Sequence, residues 1–323
     1  MRSIKLPSWS KRLFGLDPVP VPGHVFAVSR EHLRYGFFNR ENGELAFNEY
    51  HSEDLGEGAF HDGPLGGAVR DIDRFTQTFG SLMDRISLTP EEASLVVPDQ
   101  WLRVAFTDVE EMPRGSDRDA ILRFKLKRLV PFRVEDLRLS AVEVPALDAN
   151  GGRRRLLLGF GVETLLAQLE ATLEQHGVTV GHVSNEGLSL LPALAPVLGG
   201  GLSGVVHVTS NSFTLVVTQG TQPVLHRFKT LGPDHETRAR LVPRDLLLTR
   251  DYLRQEVKGR RLGELILVAP EEEQASWQGW LEGAFESPVR SLGEQWPVLP
   301  GTVAGVPSWQ TVSLLGAASR GVY

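Results

Sequence analysis

The clearest hydrophobic alternation in the chain runs through Leu102, Val104 and Phe106, which take turns with Arg103, Ala105 and Thr107. A period of two is the mark of a half-buried strand. A helix follows, entered at Ser116 with Asp119 completing a capping box. It carries Ile121, Leu122, Leu126 and Leu129 on an apolar stripe and Lys125 on a basic face, and Pro131 stops it. Alternation resumes at Leu137, Leu139 and Ala141. Residues 96–144 therefore predict a strand, strand, helix, strand module set into a longer fold.

Elsewhere the same pattern predicts a strand–turn–strand over 24–38, a strand over 44–50, a Gly-rich passage over 55–67 and a helix over 69–86. In that helix Val69, Ile72, Phe75, Phe79, Leu82 and Ile86 recur at steps of three and four, giving one core face. Residues 151–155 read as a charged hairpin tip with Arg153 to Arg155 exposed, 156–162 as a buried strand, 164–175 as a helix closed by Gly177, and 178–183 as a strand. The design of the first hairpin returns over 204–225, with a second reversal at Gln219 and Gly220. After it come a loop over 230–242, a helix over 243–257, strands over 262–269 and 285–290, and a closing helix over 313–321. Trp296 and Trp309 are expected to pack the C-terminal lobe.

Composition narrows the function more by exclusion than by assertion. At 323 residues, 41% hydrophobic and 23% charged, the chain can bury a real core. It has no cysteine, so disulfides and thiolate metal sites are excluded, and a net charge of −6 gives no overall attraction to nucleic acid. Residues 187–206 are long and uncharged enough to suggest a membrane span, but Pro192, Pro196 and Gly199 to Gly201 predict an interelement loop instead. Residues 1–16 lack the apolar core of a signal peptide. The nine histidines form no HExxH pair, and neither a GxSxG nor a GxxxxGK[ST] motif occurs.

The order of elements over 96–191, with the helix exit Leu-Val-Pro-Phe at 129–132, resembles the inserted subdomain of PilM-type proteins, the actin-like cytoplasmic components of type IV pilus assembly related in fold to FtsA. The likeness extends more weakly over 25–321. It implies an α/β, two-lobed actin-like (ribonuclease H-like) fold: a basic, Pro-rich tail (1–23), a first lobe (24–95 and 164–200) interrupted by the insert (96–163), and a second lobe (201–323) with a shortened lid and the C-terminal helix.

In such a fold the hairpins at 25–38 and 204–225 face each other and grip a nucleotide, using an Asp in each, small turn residues, and a Gly pair at the base. Ala27, Ser29, His207, Thr209 and Pro270 depart from that pattern, and Glu31 adds a repelling charge. Each lost charge-assisted contact removes about 1.5–3 kcal/mol. The expectation is a pseudo-ATPase with no catalytic residue, no metal and no cofactor, the family's ATP and Mg²⁺ having been lost. The resemblance also implies a partner: the N-terminal segment of a PilN-like bitopic membrane protein, docked through Lys125, Arg128, Phe132, Arg133 and Leu137. PilO-like components and motor ATPases are further expected contacts, and the expected location is cytoplasmic, peripheral on the inner membrane. Two alternatives stand beside this reading. One is a type II secretion L-type cytoplasmic module, which would continue into a transmembrane helix not expected here; the other is a genuine actin-like ATPase with atypical loops.

Overall fold

The computed structural model describes residues 21–41, 44–56, 58–61, 68–111, 117–127, 130, 133–145, 153–256, 260–293 and 308–319. Strands β1 (His24–Val28), β2 (His32–Glu41), β3 (Glu44–Asp54), β4 (Glu92–Val97) and β8 (Thr179–Asn185) form one sheet in the order β3-β2-β1-β4-β8. The first three are antiparallel, and β4 and β8 run parallel to β1. Strands β9 (Leu202–Val208), β10 (Ser212–Gln219), β11 (Gln222–Thr230), β12 (Glu264–Val268) and β13 (Val289–Ser291) repeat the plan in the order β11-β10-β9-β12-β13. Parallel neighbours need long crossovers, which is why helices punctuate the later strands of each half.

Alternation along the central strands divides the apolar residues between two layers. Phe26 and Val28 of β1 join Tyr35, Trp101 and the helices α1 (Ile72–Met83) and α3 (Glu163–Gln175) in an outer core. In the second half Val206 and Val208 pack with α5 (His235–Glu256) and α6 (Glu271–Phe285), where Trp277 and Leu281 are fully buried. The opposite faces, Val25 and Ala27 from one sheet and Val205, Val216 and Ile266 from the other, meet between the lobes on α4 (Glu186–Leu194) and α7 (Ser308–Ala318).

Helix α4 overturns the loop expected over 187–206. Asn185 caps it by accepting from Leu188 N at 2.9 Å, and Pro192 is carried inside it. The span is apolar because it is buried. Helix α7, assigned with the second lobe from sequence, packs instead on α4 and reaches β1, β2 and β4 of the first sheet. Gly316 permits this: a Cβ there would lie 1.6 Å from the Ser189 carbonyl oxygen.

The insert comprises β5 (Leu102–Val109), α2 (Arg118–Leu126), β6 (Leu137–Val144) and β7 (Arg154–Val162), with sheet order β5-β7-β6. It begins at Leu102 and not at residue 96, because Val96 and Val97 belong to β4 of the main sheet. Leu122 and Leu126 of α2 close a small core over Leu137, Leu156, Leu158 and Phe160. Arg138 of β6 ties the insert to α3, pairing with Glu163 at 2.7 Å and with Glu170. Those bonds hold the Glu163 carboxyl below its ordinary range.

Three other expectations change. Helix α1 starts at Ile72, after the Asp71 cap, while Val69 bridges to Phe60. Helix α5 starts eight residues before Pro243, its first turn fixed by Asp234, which accepts from Thr237 N at 2.8 Å. Residues 271–285 form a helix, α6, where none was expected. Its three leading glutamates favour the positive end of the helix dipole. Ser116 lies outside the described residues, and Asp117, which precedes α2, makes no side-chain cap bond.

The α4–α7 contact is testable. Gly316→Ala is expected to lower unfolding stability by about 1–3 kcal/mol through overpacking, read by chemical denaturation.

Candidate functional site

Two concavities stand out. The first is a cleft of about 580 Å³ between the lobes, bordered by the β1–β2 turn (Ser29, Arg30, Glu31) and the β9–β10 turn (Thr209, Ser210, Asn211). The hydroxyls of both turns are committed locally. Ser29 Oγ accepts from His32 N at 2.9 Å, and Thr209 Oγ1 donates to Ser212 O at 3.2 Å. Ser210 Oγ also donates to Glu31 Oε1 at 3.2 Å, joining the two turns across the gap. Arg238 of α5 steadies this edge by donating to Ser210 O at 2.7 Å and to Glu273 Oε1 at 2.6 Å.

The five departures noted in the sequence all fall at or beneath this cleft. Ala27 is buried in the central core, Ser29 and Thr209 sit at the turns, His207 lies on the floor, and Pro270 precedes α6 on the far wall. Glu31, Glu272 and Glu273 line the same space. Arg30, Arg34 and Arg238 line it too, with Arg34 facing Glu186 at 3.5 Å and Arg238 paired with Glu273 at 2.6 Å. Trp309 lines the cleft and packs on the central core, while Trp296 lies outside the described residues.

The second concavity is an apolar groove of about 510 Å³ between the insert and the first lobe. Leu102, Val104, Val142 and Leu157 form its insert wall, and His182, Val183 and Ser184 of β8 the opposite one. Leu188 and Pro192 of α4 and Ala317 of α7 contribute to the lining, as do Val21 and Pro22 from the chain's own leading segment. Strand β8 ends the five-stranded sheet and β6 ends the insert sheet, so each offers an edge. Burial holds the His182 imidazole below its ordinary range, so it stays neutral here.

The expected docking residues do not gather in this groove. Helix α2 covers the other face of the insert sheet, so Leu137, 3% exposed, is core beneath it. Lys125 Nζ donates to Asp108 O at 3.1 Å, and Arg133, with its side chain 79% exposed, faces Asp136 at 3.6 Å. Arg128 and Phe132 lie outside the described residues. Sequence reasoning missed Val142 and Leu157. The signal was present in β7, whose run Leu156, Leu157, Leu158 is apolar on both faces although the sheet has only three strands.

Arg155, expected on an exposed tip, is 8% exposed. It donates to Val224 O at 3.2 Å, approaches Glu256 at 3.9 Å and lies over the Phe106 ring, joining the insert to the second lobe.

Two repeated sheets enclosing a pair of central helices, with an interlobe cleft and a three-stranded insert, define the two-lobed actin-like fold. A solved structure of this fold is a chain of a PilM–PilN type IV pilus biogenesis complex, with TM-score 0.74, 14% identity, and 94% of this chain and 99% of that one covered. A Bacteroides thetaiotaomicron protein with an actin-like ATPase fold matches at TM-score 0.51 and 9% identity over 96% of this chain and 99% of its own. No protein-family model matches the sequence, nor does any curated protein. Among the described residues, no helix is long and apolar enough to cross a membrane.

Replacing Arg155 by Met is expected to cost about 1.5–3 kcal/mol, the range for a hydrogen bond from a charged group. The neighbouring Arg154→Met is expected to stay within about 0.5 kcal/mol. Equal denaturation midpoints for the two variants would contradict the anchoring role.

Proposed function

We propose that the chain is a docking scaffold of type IV pilus assembly. In this reading the insert and the first lobe hold a short segment of a PilN-like membrane protein, at the cytoplasmic face of the inner membrane, and the interlobe cleft works without nucleotide. The observation that carries the reading is the groove between β8 and the free face of the insert sheet. It joins an apolar lining to two sheet edges, the combination that captures an extended peptide: main-chain bonds supply affinity and alternate side chains fill pockets. The likeness of fold to a chain of the PilM–PilN complex supports the choice of partner. Nucleotide independence is supported by the departures at Ser29, His207, Thr209 and Pro270 along the cleft and by the Ser210–Glu31 bond across it.

The test is a fluorescence titration of the N-terminal peptide of the PilN-like protein against the full chain. Val142 is 42% exposed, so Val142→Glu alters the groove wall with little cost to folding. That variant is expected to bind at least about tenfold more weakly, a shift of about 1.4 kcal/mol, while Arg133→Glu on the α2 side binds as the parent does. Equal affinity for parent and Val142→Glu would remove the groove from the reading. Calorimetry with MgATP is expected to show no saturable heat and no hydrolysis; saturable binding would restore a nucleotide-dependent role.

A further inference from the structure

Beneath the interlobe cleft, three side chains with metal-binding atoms converge from different parts of the fold. Asp99 follows β4 of the first lobe, Glu186 is the first residue of α4, and His207 lies on β9 of the second lobe. One carboxylate oxygen from each acid and one imidazole nitrogen all lie within 4.8 Å of one another. The three residues are 3%, 5% and 6% exposed.

Their existing partners do not account for the arrangement. Asp99 is well held: Oδ1 meets His226 Nε2 at 2.8 Å, and Oδ2 accepts from Gly187 N at 3.0 Å. Glu186 has a single guanidinium contact, Arg34 at 3.5 Å, longer than the usual 2.7–2.9 Å of a charge-assisted bond. The His207 imidazole makes no hydrogen bond with any described residue, and both it and Glu186 line the cleft. An imidazole with no hydrogen-bond partner, facing the cleft beside two buried carboxylates, is a grouping that a cation held among the three would satisfy.

We propose that Asp99, Glu186 and His207 bind a divalent transition-metal ion directly, with Zn²⁺ as the favoured occupant. Two carboxylates and one imidazole suit Zn²⁺, Mn²⁺ or Fe²⁺, and among these the order of intrinsic affinity favours Zn²⁺. Mg²⁺ prefers an all-oxygen shell and keeps its waters, so an imidazole ligand selects against it. Tetrahedral ligands at about 2.1 Å from zinc lie about 3.4 Å apart, so side-chain adjustments of roughly an ångström close the site. The fourth position opens into the cleft. His226 and Gly187 N, bonded to Asp99, supply the outer contacts that orient a ligating carboxylate. Because the ligands come from both lobes and from the helix between them, the ion fixes the interlobe angle. The site uses no nucleotide and is independent of the docking groove, so either reading can fail alone.

The experiment treats the full chain with EDTA, desalts it, and titrates ZnCl₂ by calorimetry without nucleotide. Expected are one site of micromolar or tighter affinity, a raised Tm with bound zinc, and no response to millimolar MgCl₂. His207→Gln and Glu186→Gln are each expected to weaken binding at least 100-fold. Absence of binding, or unchanged affinity in His207→Gln, would overturn the proposal, the latter assigning zinc to surface histidines. Should a variant fail to fold, anomalous scattering at the zinc edge from crystals of the parent chain decides: a peak among the three side chains supports the site, and a peak elsewhere or none refutes it.

Discussion

The close crossing of α4 and α7 is the contact on which the rest depends. A side chain at Gly316 would collide with the Ser189 carbonyl, so the two backbones meet with nothing between them. That thin double layer lets the inner faces of both sheets reach the same core, where Val25 and Ala27 from one half and Val205 and Ile266 from the other are fully or almost fully buried. The cleft above and the groove beside it are then the spaces left where two twisted sheets splay away from one shared seam. Thicker packing at this point would separate Glu186 from His207 and move Pro192 and Ala317 out of the groove wall.

Much of the architecture was legible in the sequence because it rests on short-range periodicity. The alternation in β5 and β6, the spacing of Phe75, Phe79 and Leu82, and the repeat of the first hairpin in β9 and β10 each express a local rule. Failures came where tertiary burial overrode a local breaker. Pro192 and Pro243 both lie inside helices, contrary to their usual effect, since packing of Leu190 and Leu194 on one side and Val242 and Leu246 on the other holds the backbone in place. Helix α6 was missed because its three leading glutamates read as a surface turn, and only the burial of Trp277 and Leu281 reveals its inner face.

The candidate sites were less legible than the fold. Departures at Ala27, His207 and Pro270 could be counted along the chain, but the convergence of Asp99, Glu186 and His207 spans residues 99–207 and has no sequence signature. Leu137 illustrates the opposite error. It alternates as a strand residue should, yet nothing local says which of its two faces α2 will cover, and the docking assignment depended on that choice. Arg155 likewise looks like one of three exposed arginines until the second lobe is brought against it.

Both sheets follow the same strand order, and in each a helix, α3 or α6, leads into the fifth strand. In the second half the chain passes from β12 straight to its helix, whereas in the first the insert intervenes before α3. The insert, and with it the groove it walls, therefore belongs to one half alone and breaks an otherwise repeated plan.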